Sequence, residues 1–215
     1  METSMQAVSP ESLFDLSHFA SASVFHDCTY VWEALSKIAP YLENADLGKI
    51  EGEVSKDAYL INPGLISIGK GTIVEPGAYI AGPCLIGKNC HVRSGAYIRG
   101  NLITGDGCVL GHDSEFKNVI MLDGAKAAHF AYVGDSILGN EVNLGAGTVL
   151  ANLRLDRKQI SFKIDAARVD TGRKKFGAAL GDRSQTGCNS VLNPGTIFAK
   201  EATCRPCINI GGFVQ

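Results

Sequence analysis

Residues 68–104 read IGKGTIVEPGAYIAGPCLIGKNCHVRSGAYIRGNLIT, and the spacing within this stretch decides the fold. Counting in sixes from Ile68 meets Val74, Ile80, Ile86, Val92 and Ile98, all β-branched aliphatics. Four residues after each stand Thr72, Ala78, Cys84, Cys90, Ala96 and Leu102, of which only Leu102 is large. Neither the helical period of 3.6 nor the strand period of two generates this locked pair. Six is the repeat of a parallel β-helix. Each hexapeptide forms one short flat side and one corner. The aliphatic residue fills a narrow triangular interior, and the small residue fits where the corner tightens. Three hexapeptides close a coil, and stacked coils bury one another's faces. Cys84, Cys90 and Cys108 fall on the small inward positions, which marks them as buried thiols rather than ligands.

Working outward, the phase continues through Leu110 and Phe116. It breaks near 122–137 and is expected to return one register over at Leu138, Leu144 and Leu150. Residues 151–176, ANLRLDRKQISFKIDAARVDTGRKKF, are charged and too long for a corner, and are expected as a loop or hairpin thrown out of the stack. The sixes resume at Leu180, Thr186, Leu192 and Phe198. Ahead of the repeats the pattern is helical. Ser9-Pro10-Glu11 supplies an N-cap, a proline at the first helical position and an acid in the first turn, with Leu13, Leu16, Phe19 and Ala20 on one face. A second helix is expected over residues 30–38, ended by Pro40. The expected organisation is a helical N-terminal appendage over 1–48, packed on the next domain or a neighbouring subunit. A β-helix domain follows over 49–215, with an extruded loop at about 151–176.

The 215-residue chain is 45% hydrophobic and 20% charged, a balance that supports a packed core. A net charge of −2 without runs of one sign argues against nucleic acid or a membrane surface as partner. No apolar run is long enough to span a bilayer, and METSMQAVSPES lacks the basic-then-apolar pattern of a secretory signal. Seven cysteines without a signal fit a reducing cytoplasm better than a disulfide framework. The 25 glycines without low complexity indicate many regular tight turns.

Chemistry-bearing residues gather where the phase slips. Ala128-His129-Phe-Ala-Tyr132-Val-Gly134-Asp135 is followed by Val142-Asn143-Leu-Gly145-Ala146-Gly147 and by Ala151-Asn152. A histidine freed from the inward pattern, with Tyr132, Asn143 and Asn152 at corners of adjacent coils, is expected to converge with them on one surface. The alternative is a structural histidine. Arg99 and Lys117 stand one full coil apart, so they stack at equivalent positions. Such a pair is easiest to understand with an anion between the two cations, and otherwise they are solvated surface charges. Lys158 and Arg173-Lys174-Lys175 lie in the extruded segment and could close over the same anion. Cys204-x-x-Cys207 has no second pair, so no metal is expected, and no P-loop, nucleophile-elbow or dinucleotide motif is present.

The ordered string Phe116-Lys117-Asn118, His129 to Asp135, Val142 to Thr148 and Asn152 resembles the acetyltransferase half of the bifunctional N-acetylglucosamine-1-phosphate uridyltransferase family. With Ala151 to Asp156, Gly172 to Gly177 and Gly181-Asp182 it is more similar still to the archaeal-type sugar-1-phosphate nucleotidyltransferase/acetyltransferases, over about residues 30–205. The resemblance implies a left-handed coil, a hand that periodicity leaves open, together with a homotrimer and acetyl-CoA as donor. It matches the family's base to His129 and its sugar-phosphate contacts to Arg99, Lys117, Tyr132, Asn143 and Lys158. It matches the donor contacts to Asn152 and, at another corner, Cys188, where the family carries a small polar residue. A backbone N–H near Gly145 or Ala146 would face the thioester oxygen. The family's N-terminal nucleotidyltransferase domain and its G-x-G-T-x-M motif are absent, so uridyl transfer is not expected. The implied function is acetyl-CoA-dependent N-acetylation of a hexosamine 1-phosphate, glucosamine 1-phosphate first, without a metal, in nucleotide-sugar biosynthesis. The alternatives are a different amino-sugar phosphate as acceptor, or a non-catalytic trimeric scaffold for a separate nucleotidyltransferase.

Overall fold

The computed structural model describes residues 6–164 and 167–215. Among them the repeats wind into a left-handed parallel β-helix with three faces. The first face is an eight-stranded sheet running from Glu53–Val54 to Thr203–Cys204. The second runs from Tyr59–Ile61 to Asn209–Ile210, and the third from Ile66–Ile68 to Phe213–Val214. The second and third faces merge into one fourteen-stranded sheet, because the strands Glu115–Met121 and Tyr132–Leu138 pass through the corner between them. The sixfold aliphatics face inward as expected: Ile68, Val74, Ile80, Ile86, Val92 and Ile98 are all buried in one core. Cys84, Cys90 and Cys108 join them, and burial pushes the Cys84 thiol up to about 12.

Those two continuous strands explain the disturbed phase. Phe116 and Met121 both face the core five residues apart, and Val133 and Leu138 repeat the step. The repeat therefore does not break over 122–137. It slips by one residue at each of two successive corners and returns two registers over, not one. The physical cause is a shortened corner. The preceding coil turns on Gly100 and Asn101, both at positive φ, whereas the two shortened coils turn on Asn118 (φ +57°) and Asp135 (φ +47°) alone. Asn and Asp tolerate this left-handed conformation better than most side chains. Both side chains end up buried in the corner, which positions the polar cluster described below.

The extruded segment leaves the stack after Asn152 and returns at Phe176, whose N–H donates to the Asn152 carbonyl. It carries an antiparallel hairpin, Ser161–Ile164 with Ala167–Asp170. The hairpin is amphipathic: Ile160, Phe162, Ile164, Val169 and Phe176 are buried.

These residues share a second core with the N-terminal region. The outward positions of the third face form a ladder, Leu85–Ile103–Ile120–Ile137–Ala179–Ile197–Phe213, one rung per coil in continuous register. Strand alternation would leave these rungs in water. Instead they pack against Leu13, Phe14, Phe19, Val24, Phe25, Trp32, Leu35, Ile38 and Leu42. Two helices, α1 (Pro10–Leu13), capped by Ser9, and α2 (Ala34–Glu43), supply Leu13, Leu35, Ile38 and Leu42, and the segment between them supplies the rest. Pro40 lies inside α2 and does not end it. It lacks an N–H donor, but the buried stripe of Leu35, Ile38 and Leu42 outweighs one missing bond on a solvent-facing turn.

Candidate functional site

The corner between the first and second faces is built by a column of equivalent residues. Phe130 N–H donates to the His112 carbonyl, Gly147 N–H to His129, Asn189 N–H to Ala146, and Cys207 N–H to Cys188. His112, His129, Ala146 and Cys188 therefore stand one above the other along one edge. His129 closes the strand Lys126–His129 and is exposed. No described group hydrogen-bonds its ring. The next residue, Phe130, has φ +52° at a position that Gly77, Gly95 and Gly147 occupy in other coils, and its ring is 56% exposed. The Gly145 N–H is held by the Thr186 carbonyl and hydroxyl at 3.0 Å each, whereas no partner for the Ala146 N–H occurs among the described residues.

The corner between the second and third faces holds the other cluster. Arg99 and Lys117 are stacked in register, as the eighteen-residue spacing requires, since Ile98 pairs with Phe116. Each cation is already met by a carboxylate. Arg99 Nη1 lies 2.7 Å from Glu115 Oε1, and Lys117 Nζ lies 2.9 and 3.1 Å from the two oxygens of Asp135. Asp135 is 2% exposed. It also accepts from Asn118 Nδ2 at 3.1 Å and Asn152 Nδ2 at 2.7 Å. Arg173 of the extruded segment comes close enough for the Asp135 charge to oppose the lowering that burial imposes on its guanidinium. Tyr132 leans across Gly134 toward Asn152: a β-carbon on Gly134 would stand 2.7 Å from Tyr132 Oη and 2.8 Å from Asn152 Nδ2. Burial raises the Tyr132 phenol, with the charges of Glu115 and Asp135 adding to the effect and Arg99 opposing it.

The expected convergence on one surface is thus divided between two corners of one chain. His129, Ala146 and Cys188 line the first, with Gly145 beside them. Arg99, Lys117, Asn152 and Tyr132 gather at the second. Asn143 faces outward on the first face, between Lys126 and Gln185. Lys158 is exposed in the extruded segment, its backbone N–H bonded to Asp156. His129 and the Lys117 column stand about five residues apart along a coil, at most ~17 Å. A cavity of about 700 Å³ lies elsewhere, between the extruded segment and the last coils, lined by Leu153, Leu155, Phe162 and Asn193. Asn118, Gly134 and Asp135 stand in the strings that single out the site, but the sequence assigns them no role, because only contacts between coils show what each side chain or glycine meets.

This architecture defines a hexapeptide-repeat β-helix with an exposed imidazole at one corner and a buried carboxylate holding a lysine at the next. The chain belongs to the family described as the GMPPB C-terminal domain, whose model matches residues 80–214. It is similar to two archaeal proteins named bifunctional protein GlmU. The one from Methanococcus aeolicus is 33% identical over 171 residues, 80% of this chain and 41% of the relative. The one from Methanococcus maripaludis is 41% identical over 171 residues, with the same coverage, 80% and 41%. A bifunctional sugar-1-phosphate nucleotidylyltransferase/acetyltransferase of Sulfurisphaera tokodaii is 38% identical over 97 residues, 45% of this chain and 24% of that protein. The chain thus spans well under half the length of these curated relatives.

Proposed function

We propose that the chain transfers an acetyl group from acetyl-CoA to the amine of a hexosamine 1-phosphate, glucosamine 1-phosphate first. The observation that carries this is the exposed His129 on a corner shared with Ala146 and Cys188, in a chain with one relative named a bifunctional sugar-1-phosphate nucleotidylyltransferase/acetyltransferase. An ammonium has no lone pair, so a base must take a proton before attack, and neutral imidazole titrates in the right range. The amine nitrogen bonds to the thioester carbon and the carbon–sulfur bond breaks. Of the two protons the ammonium sheds on becoming an amide, one leaves to solvent and the other passes through His129 to the departing CoA sulfur. The Ala146 N–H is the donor aimed at the thioester oxygen, since the Gly145 N–H is committed to Thr186. Arg99, Lys117 and Tyr132, with Asn143 and Lys158, hold the sugar phosphate, and Asn152 and Cys188 contact the donor.

A second copy completes the site. One chain leaves its two clusters at opposite edges of an open face, too shallow to bury two substrates. A homotrimer in which a neighbour packs against this face brings His129 of one copy toward the Arg99–Lys117 edge of the next. The cytoplasm is the compartment proposed, supported by Cys84, Cys90 and Cys108 serving as buried packing groups. No helix among the described residues is long and apolar enough to cross a membrane.

One observation favours a scaffold for a separate nucleotidyltransferase instead: both stacked cations already have carboxylate partners. Acetyl transfer to a panel of hexosamine 1-phosphates, followed through release of the CoA thiol, separates the two. Turnover with glucosamine 1-phosphate is expected. CoA at 100 times its dissociation constant should stabilise the fold by about 2.7 kcal/mol. No turnover with any acceptor and no stabilisation by CoA would favour the scaffold.

A further inference from the structure

Asp135 has no part in the chemistry above, yet it is the most heavily bonded side chain near it. Its carboxylate is buried and accepts four hydrogen bonds, two from Lys117 and one each from Asn118 and Asn152. The donors and their acceptor together span three successive coils. Lys117 and Asn118 lie on the strand Glu115–Met121, Asp135 on Tyr132–Leu138, and Asn152 just past Val149–Leu150. Asn118 continues the chain of contacts to α2, donating to the Leu35 carbonyl at 3.4 Å. The Asp135 carbonyl accepts from Gly177 N–H at 2.8 Å, where the extruded segment rejoins the stack. A buried carboxylate needs both a counter-charge and filled lone pairs to be tolerated, and this one has both. The cost of that arrangement is larger than a corner needs, because the coil before it turns on Asn118 and the one before that on Gly100 and Asn101, neither with an acid.

We propose that Asp135 is a positioning residue that sets the Lys117 ammonium and the Asn152 amide on one carboxylate, so that the acceptor-phosphate group and the donor group are assembled as a unit. The roles of those two groups rest on the transfer reaction proposed above. The physical basis is preorganisation. A lysine has a flexible four-carbon stem, and holding its ammonium in place before the phosphate arrives removes an ordering cost from binding. The buried carboxylate also pulls the Asn152 amide toward the stack, which aims that side chain along the corner.

Asp135→Asn tests this, since it keeps the shape and an oxygen acceptor for Asn152 but removes the charge on Lys117. Two measurements are made on the variant and the unaltered protein. The first is acylation of Lys117 by a succinimidyl ester, read by mass spectrometry against the exposed Lys158. Lys117 is expected to react at least tenfold more slowly than Lys158 in the unaltered protein and to approach its rate in Asp135→Asn. The second is steady-state transfer. KM for the hexosamine phosphate is expected to rise at least tenfold, while KM for acetyl-CoA moves less than threefold and kcat falls less than in His129→Ala. Asp135→Ala, which also abandons Asn152, is expected to raise both KM values. Equal labelling of Lys117 and Lys158 in the unaltered protein overturns the proposal, and needs no variant to fold. So does a variant that melts lower with both KM values unchanged. If the unaltered protein acetylates no hexosamine phosphate, the function falls, while the labelling still decides whether Asp135 holds Lys117.

Discussion

His129 lies one coil beyond His112 at the same register position, the two histidines closing adjacent strands of the first face. They differ in what holds them. His112 Nδ1 is 2.7 Å from the Ser94 carbonyl oxygen, and its ring meets Phe130 edge-on. The His129 ring has no hydrogen-bond partner among the described residues. His129→Ala is therefore expected to lower kcat by about 10²–10⁴-fold, and His112→Ala to leave it near the unaltered value. Steady-state acetyl transfer by both variants checks this, and equal losses would remove His129 from the role of base.

Phe130 carries a backbone conformation that costs a bulky residue about 1–2 kcal/mol, and its ring is mostly in water. Folding alone gains little from it. Phe130→Asn should raise stability by roughly 1 kcal/mol while lowering turnover, because the ring beside His129, 6.4 Å between centroids, is lost. Denaturant midpoints and kcat measured together decide it; a fall in both would mean that the ring stabilises the corner.

Gly134→Ala places a β-carbon against Tyr132 Oη and Asn152 Nδ2. The Tyr132 hydroxyl can swing away, but Asn152 Nδ2 can do so only by leaving the buried Asp135, so stability should fall by about 1–3 kcal/mol. The swing displaces two site residues, and KM should rise. A crystal structure with the Tyr132 hydroxyl unmoved would contradict this.

Ile120 is a rung of the outward ladder and is fully buried beneath the N-terminal helices. Ile120→Ala is expected to cost about 2–5 kcal/mol, as an inward residue would. Urea denaturation measures it. A surface-like cost below about 0.5 kcal/mol would mean that the helices do not cover the ladder in solution.

The Tyr132 phenol sits above its ordinary range, chiefly through burial. A raised folded value means that its contribution to stability is fully present below the unfolded value, about 10, and is lost as pH climbs through the folded one. Tyr132→Phe should flatten the alkaline limb of the stability profile and leave neutral pH unaffected. Melting temperatures from pH 7 to 11 for both proteins test the sign, and a steeper limb in the variant would reverse it.

Much of this molecule is legible in its sequence. Ile68 to Ile98 announce an interior because a side chain every sixth residue has one place to go in a triangular coil. The Arg99–Lys117 stack follows from the same count. The slip at Asn118 and Asp135 differs from the sequence expectation because one missing residue turns two strands and a corner into a single strand, which a fixed period cannot show. The ladder through Ile103, Ile120 and Ile137 did leave a trace. The outward third-face positions Ile103, Ile120 and Ile137 are apolar, where the other faces carry Tyr97, His91 or Lys126.

The local order of residues was enough to determine a coil of short flat sides, since inward and corner positions obey steric rules that act within six residues. Which polar groups meet was settled only by tertiary structure. Lys117, Asp135 and Asn152 are brought together by stacking between coils, and His129 is held apart from them by the width of a face. Those distances depend on how many residues each corner uses, and a change of one residue there moves every later side chain.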